Sequence, residues 1–158
     1  SEENRVKAAL SLWNAAKQML LLVEPGTPAG FAHLREIRTL LLQHGAHIAA
    51  PCPHEEECPL PDDDWCHFTC RIARSRLHKQ LKGGDAPFED EKFSYLVLTR
   101  QNSTPAASRI LRHPRIDPGK ITLKLCTSEG LSTREVRKKD GSLFKAARKS
   151  NCGDAFPE

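Results

Sequence analysis

Val6, Ala9, Leu10 and Trp13 recur at intervals of three and four residues, the repeat of one helix face. Met19, Leu20, Leu21, Leu22 and Val23 follow as an unbroken apolar run. Such a run predicts a strand buried on both faces, as in a parallel sheet. Glu24-Pro25-Gly26 interrupts it, Thr27 offers a capping oxygen for a second helix, and Pro28 suits the first helical position, where no N–H is needed. Phe31, Leu34, Ile37 and Leu41 give that helix its buried stripe, and Gly45 its left-handed stop. Residues 46–50 read as another short strand. Helix and strand alternate, which predicts a layered α/β fold.

That alternation stops at residues 51–65, which hold four prolines, two cysteines and six acidic residues and keep no helical or strand period. A loop of this length inside a compact domain is functional or disordered, and the cysteines point to function. Residues 71–82 then predict a helix ended by Gly83-Gly84. Ala73, Leu77 and Leu81 form its apolar stripe, with Arg71, Arg74, His78, Lys79 and Lys82 on another face. Residues 93–99 are rich in strand formers, and residues 101–107 read as a polar linker. Ile121, Leu123 and Leu125 alternate with Thr122, Lys124 and Cys126, a half-buried strand with residues 131–138 as its partner. Asp140-Gly141 reads as a turn, and Ser142 as the cap of a last short helix carrying Lys145, Arg148 and Lys149. The chain therefore divides into an α/β part (1–51 and 86–100), a Cys-rich insertion with a basic helix (52–85) and a basic β-rich extension (101–158).

Charge adds an asymmetry to this layout. Residues 1–66 carry 5 basic and 10 acidic side chains, whereas residues 67–158 carry 19 and 10. A basic second half predicts a polyanionic partner. Arg71, Arg74, Lys79 and Lys82 are candidate phosphate contacts, Arg109, Arg112 and Arg115 form a second basic group, and Lys138, Lys139, Lys145, Arg148 and Lys149 a third. Aromatic residues make up 6% of the chain, so backbone and shape recognition are expected rather than base stacking. No apolar run approaches the ~18 residues of a membrane span. The first residues lack the pattern of a secretory signal, and the helical repeat begins almost at once without an initiator Met. The chain is accordingly expected to start inside a larger protein.

Six cysteines without a secretory signal argue for reduced thiols rather than a disulfide framework. Cys52, Cys58 and Cys66 are the metal-ligand candidates: the surrounding segment is too acidic to bury thiols merely for packing. Neighbouring prolines restrict the backbone and lower the entropy cost of gathering thiolates. A structural zinc site typically shows a tight C-x2-C pair, which is absent here. Wider, irregular spacing suits the larger iron–sulfur cluster, while His54, His67 and Cys70 keep zinc open. Spacing leaves the fourth ligand open among Cys70, Cys126 and Cys152.

Residues 22–31 (LVEPGTPAGF) begin a longer pattern, continued by Pro51-Cys52-Pro53-His54, Cys58-Pro59-Leu60 and Trp65-Cys66-His67-Phe68. Residues 74–78 (RSRLH), 81–83 (LKG), 89–96 (EDEKFSYL), 109–114 (RILRHP) and Gly153-Asp154 belong to it as well. Together they resemble the methyltransferase-like family of small-ribosomal-subunit assembly factors of bacteria and mitochondria. The resemblance implies a class I (Rossmann-like) methyltransferase sheet with the Cys-rich segment inserted between its last two strands. It implies a [4Fe-4S] cluster on Cys52, Cys58, Cys66 and a downstream fourth cysteine, for which Cys126 fits the distance and setting. It also implies small-subunit ribosomal RNA and ribosomal proteins as partners, no membrane, and a bacterial cytoplasm or mitochondrial matrix as the setting. Candidate RNA contacts are Arg71, Arg74, Lys79, Lys82, Arg109 and Arg112. An S-adenosylmethionine site needs a glycine-rich turn after a strand, and no Gly-x-Gly run follows a strand here, so no cofactor-binding or catalytic residue is assigned. Two further classes fit the same residues: an S-adenosylmethionine-dependent rRNA methyltransferase, with the cofactor held by a longer protein, and a zinc-binding RNA or protein interaction module. The expected role of the cluster is structural, stapling the acidic loop to the extension.

Overall fold

The computed structural model describes residues 1–157. Helix α1 (Glu2–Ala15) turns Ala9 and Trp13 inward, and the Arg100 guanidinium lies 3.9 Å from the centre of the Trp13 ring. Strand β1 (Met19–Pro25) leads to helix α2 (Pro28–Gln43), where Thr27 Oγ1 accepts the Gly30 N–H at 3.1 Å. The expected cap and the N1 proline are both in place. After α2, Gly45 adopts φ 76° and the chain enters β2 (His47–Ala50).

Beyond the acidic loop come β3 (Phe68–Ala73), α3 (Arg76–Lys82) and the long β4 (Phe88–Thr99). β4 lies between β1 and β2 and runs antiparallel to both, so β1 and β2 are parallel and joined by the α2 crossover. β3 pairs with the first half of β4, from Phe68↔Phe93 to Ala73↔Phe88. The Cys-rich segment, which includes β3, thus lies between β2 and β4 in the chain. Trp13, Leu34, Leu41, Ala46, Ile48, Leu96 and Leu98 form its core under α1 and α2.

Two expectations, for β1 and for residues 71–82, need correction. β1 is not buried on both faces. Leu20 and Leu22 join the core, while Met19, Leu21 and Val23 are 55–59% exposed on the face away from α1 and α2. The predicted helix over 71–82 is a strand followed by a shorter helix. Phe68, Thr69 and Ile72 favour a strand, and the matching segment 88–93 supplies its hydrogen bonds. Ser75 then caps α3 by accepting the His78 N–H at 3.1 Å. The expected apolar stripe is exposed, at 64% for Leu77 and 78% for Leu81, because the helix instead turns His78 and Lys82 onto Glu89.

The second sheet contains β5 (Ser108–Ile110), β6 (Arg115–Asp117), β7 (Lys120–Thr127), β8 (Gly130–Arg137) and β9 (Ala155–Phe156). β7 pairs with β5, β6 and β8, all antiparallel, and β9 closes on β5. Helix α4 (Ser142–Lys149) covers it with Leu143, Phe144 and Ala147, over Ile110, Ile121, Leu123, Leu125, Val136 and Phe156. Ser142 is the first residue of α4 and not its cap; Gly141, at φ 56°, holds that position. A third apolar cluster ties the loop and α2 to the second sheet: Leu60 from the loop meets Cys126 of β7 and Leu111 just after β5, with Phe31, Cys58 and Cys66 packed alongside.

Candidate metal centre

Residues 51–67 contain no helix or strand, so their backbone groups need partners from elsewhere. Side chains from α2, β4 and β5 supply several of them. Arg38 Nη2 donates to the carbonyls of His54 at 3.0 Å and Glu56 at 2.6 Å. Arg109 Nε donates to Pro51 O at 3.0 Å, Ser94 Oγ to Cys66 O at 2.7 Å, and Trp65 Nε1 to Gly26 O at 3.0 Å. Arg112 pairs with Asp64 and also reaches its own neighbour's carbonyl, Leu111 O, at 2.7 Å. Glu55 turns back to accept the Ile48 N–H at 2.9 Å. The acidic loop is therefore strapped to α2, β4 and β5 at fixed points, and its cysteines have defined places.

Those places converge. Cys52, Cys58, Cys66 and Cys126 all line one cavity of about 50 Å³. Cys126 comes from β7, opposite Arg109 of β5, and is 8% exposed. The remaining wall is largely apolar, with Phe31, Leu60 and Leu111 among its residues. Burial raises all three thiols of Cys52, Cys66 and Cys126, the last to about 12. For Cys66, the neighbouring Cys52, Cys58 and Cys126 push in the same direction, because several thiolates in one cavity repel. Arg38 opposes the shift at Cys52 through its charge and a hydrogen bond.

His54 also belongs to this cavity. Its Nε2 stands 3.6 Å from Cys126 Sγ, and its buried Nδ1 has no partner. Burial lowers its pKa, with the Arg38 charge acting the same way, so its neutral form is favoured. Cys70 lies elsewhere, exposed on β3 opposite Glu91. Cys152 is adjacent, but its thiol donates to Leu111 O at 3.2 Å.

Four thiols in one buried cavity are a poor arrangement for free thiolates and a good one for soft metal ligation. Ligation removes the protons and shares the resulting charge with the metal. Among the described residues, no three His, Cys, Asp or Glu side chains stand close enough to share a single ion.

Sequence periodicity overlooks Arg38. It is 5% exposed and occupies the stripe Phe31–Leu34–Arg38–Leu41, a charged residue at a core-facing position of α2. A cation inside an otherwise apolar stripe is the signal that points to it. Nε of Arg38 is buried without a partner.

The candidate RNA contacts occupy two different settings. Arg71 forms a two-pronged pair with Asp90 at 2.7 and 2.9 Å, and Arg74, His78 and Lys82 all converge on Glu89. The Lys82 hydrogen bond is the largest influence holding the Glu89 carboxyl below its usual range. Lys79 is half-buried and makes no ion pair among the described residues. Arg109 and Arg112 brace the loop, as described above. Lys138, Lys139, Lys145, Arg148 and Lys149 are exposed around α4, with no ion pair among the described residues.

Known proteins match this chain over nearly all of its length. It is 29% identical to the human ribosome assembly protein METTL17, mitochondrial, across 99% of the chain and 36% of that protein. It is 27% identical to the Rsm22-cox11 tandem protein 2, mitochondrial, of Schizosaccharomyces pombe, across 99% of the chain and 27% of that protein. The chain spans about a third of the length of these relatives. The model of the family described as mitochondrial small ribosomal subunit Rsm22 matches residues 1–157, and the chain belongs to that family.

Proposed function

We propose that this chain acts in assembly of the small ribosomal subunit in the mitochondrial matrix, and that it carries a structural [4Fe-4S] cluster on Cys52, Cys58, Cys66 and Cys126. The relatives' names support the first part, one being a ribosome assembly protein and each being mitochondrial. No helix among the described residues is long and apolar enough to cross a membrane. The class I methyltransferase reading draws support from the β1–α2–β2 crossover and from the insertion of the Cys-rich segment between β2 and β4. The observation that carries the cluster is the convergence of four thiols, from one loop and a separate sheet, on a single cavity.

The cluster would supply ligation energy where the loop has little core of its own, on the order of 10 kcal/mol for a structural metal. It would fix the loop against β7 and so set the shape of the basic surface beyond it. That surface is proposed to contact small-subunit ribosomal RNA through Arg71, Arg74, Lys79, Lys82, Arg109 and Arg112. Arg109 and Arg112 would serve chiefly by holding the loop in place, because their guanidinium groups are engaged there.

Anaerobic purification followed by iron, sulfide and zinc analysis tests the centre. The expected result is a brown protein with labile sulfide, which Cys52→Ser and Cys126→Ser lose and Cys70→Ser keeps. A colourless protein with one zinc and no sulfide would replace the cluster with a zinc site, to which His54 is near enough to contribute. RNA binding is read from the salt dependence of affinity for a small-subunit RNA fragment. Replacing one phosphate-binding cation, as in Lys79→Ala, should make the logarithmic slope shallower by ~1.

A further inference from the structure

Arg38 is a buried guanidinium with no anion. Its Nη2 serves two backbone carbonyls, its Nε serves nothing, and no carboxylate of the described residues lies within 4.0 Å of it. An uncompensated buried charge is strongly destabilising. Two carbonyls need only a neutral donor, so bracing the loop does not explain the charge. Arg35, one turn earlier, shows the ordinary alternative: it reaches out to the exposed Asp62 at 3.5 Å.

The loop carries six carboxylates, yet none neutralises Arg38. Glu55 is turned to the Ile48 N–H and His47, Asp62 to Arg35, and Asp64 to Arg112. A second guanidinium on the cavity wall, Arg109, also lacks a carboxylate partner. Its Nε and Nη1 donate to Pro51 O and Gly153 O, at 3.0 and 2.9 Å. Two cations therefore face the thiol cavity with carbonyls and, for Arg38, the Cys52 thiol as partners but no carboxylate, in a segment where acid is plentiful. This pattern leaves a place for negative charge inside the cavity.

We propose that the cavity is built for a doubly anionic, thiolate-ligated centre, and that Arg38 is its counter-cation, with Arg109 as the second. This inference rests on the metal-centre reading above. Four thiolates around either an oxidised cubane core or one zinc ion leave two negative charges, matched by the two guanidinium groups. Arg38 is then a positioning residue for the centre: it stabilises the ligated form and favours addition of an electron, since net charge and hydrogen bonding set cluster potentials.

The test compares the wild-type chain with Arg38→Lys, Arg38→Met and Arg109→Met, all purified anaerobically. Metal and sulfide per chain, the rate of metal release to a chelator, and the reductive midpoint from a dithionite titration are measured. Arg38→Met should release metal at least about tenfold faster, with its midpoint moved to more negative potential. Arg38→Lys, which keeps the charge, should stay near wild type, and Arg109→Met should shift in the same direction by less. Wild-type release and midpoint in Arg38→Met would overturn the inference while leaving the metal centre standing. Equal damage in Arg38→Lys and Arg38→Met would also overturn it, since the guanidinium would then act through hydrogen-bond geometry and not charge. If Arg38→Met does not fold, Arg109→Met and Arg38→Lys carry the comparison, and an unshifted Arg109→Met overturns the pairing of two cations with the centre. A wild-type chain free of iron, sulfide and zinc would overturn both the centre and its counter-charge.

Discussion

A thiol held in a dry cavity makes the protein's stability depend on pH in a defined direction. Burial raises Cys52, Cys66 and Cys126 above the ordinary thiol value of 9.0, and Cys126 reaches about 12. The unfolded chain, with its thiols in water, ionises first. The reduced, metal-free protein should therefore keep this contribution in full below pH 9.0 and lose it as pH rises toward about 12. Urea midpoints of the metal-free chain should fall between neutral and alkaline pH, and Cys126→Ala should flatten that dependence; a flat wild-type profile would contradict the burial argument. The residue scale is also the least legible in the sequence. The clustering of Cys52, Cys58 and Cys66 in an acidic loop shows at once, but spacing alone leaves the fourth ligand open, and it is the family resemblance that nominates Cys126. Only the strand pairing of β7 with β5 sets Cys126 against the loop and leaves Cys70 on an exposed strand. Arg38 is hidden for a different reason: a periodicity that counts apolar residues passes over a buried cation.

Between β1 and α2 the chain turns within three residues, and Gly30 is where the two elements meet. A Cβ at this position would stand 2.2 Å from Pro25 O, a backbone atom with little room to retreat. Gly30→Ala should lower stability by about 2–3 kcal/mol, from overpacking against fixed backbone. The urea midpoint should drop with an unchanged slope, and a stability equal to wild type would show that the turn can open. This part of the fold is readable because its signals are local: Thr27 caps, Pro28 starts the helix, and Gly45 ends it. The segment 71–82 departs from its helical pattern because its decisive partner is distant. Residues 68–73 become a strand only when 88–93 lies beside them, and Glu89 then draws Arg74, His78 and Lys82 to one point. β1 departs in a similar way, since its apolar run suggests burial on two faces and the described residues cover only one.

Across the molecule, the cysteine cavity is where the two sheets and the acidic loop are joined. Removing a metal from it should loosen that joint and leave each sheet's own core in place. Hydrogen exchange after chelation should therefore quicken in residues 51–67 and at the Cys126 end of β7, while amides near Leu41 and Leu98 stay protected. Uniform loss of protection would instead make the metal a requirement for the whole fold. The same arrangement has a consequence for the chain's synthesis. Cys126 follows Cys66 by 60 residues, so at ~5–20 residues per second it emerges several seconds later. By the time Thr99 has been made, every strand of the first sheet exists, and Cys52, Cys58 and Cys66 stand at an incomplete wall. A centre that uses all four thiols can be completed only after β7 has appeared. Loading of such a centre would thus wait until β7 stands beside the loop, and the three loop thiols would have to be kept reduced until then.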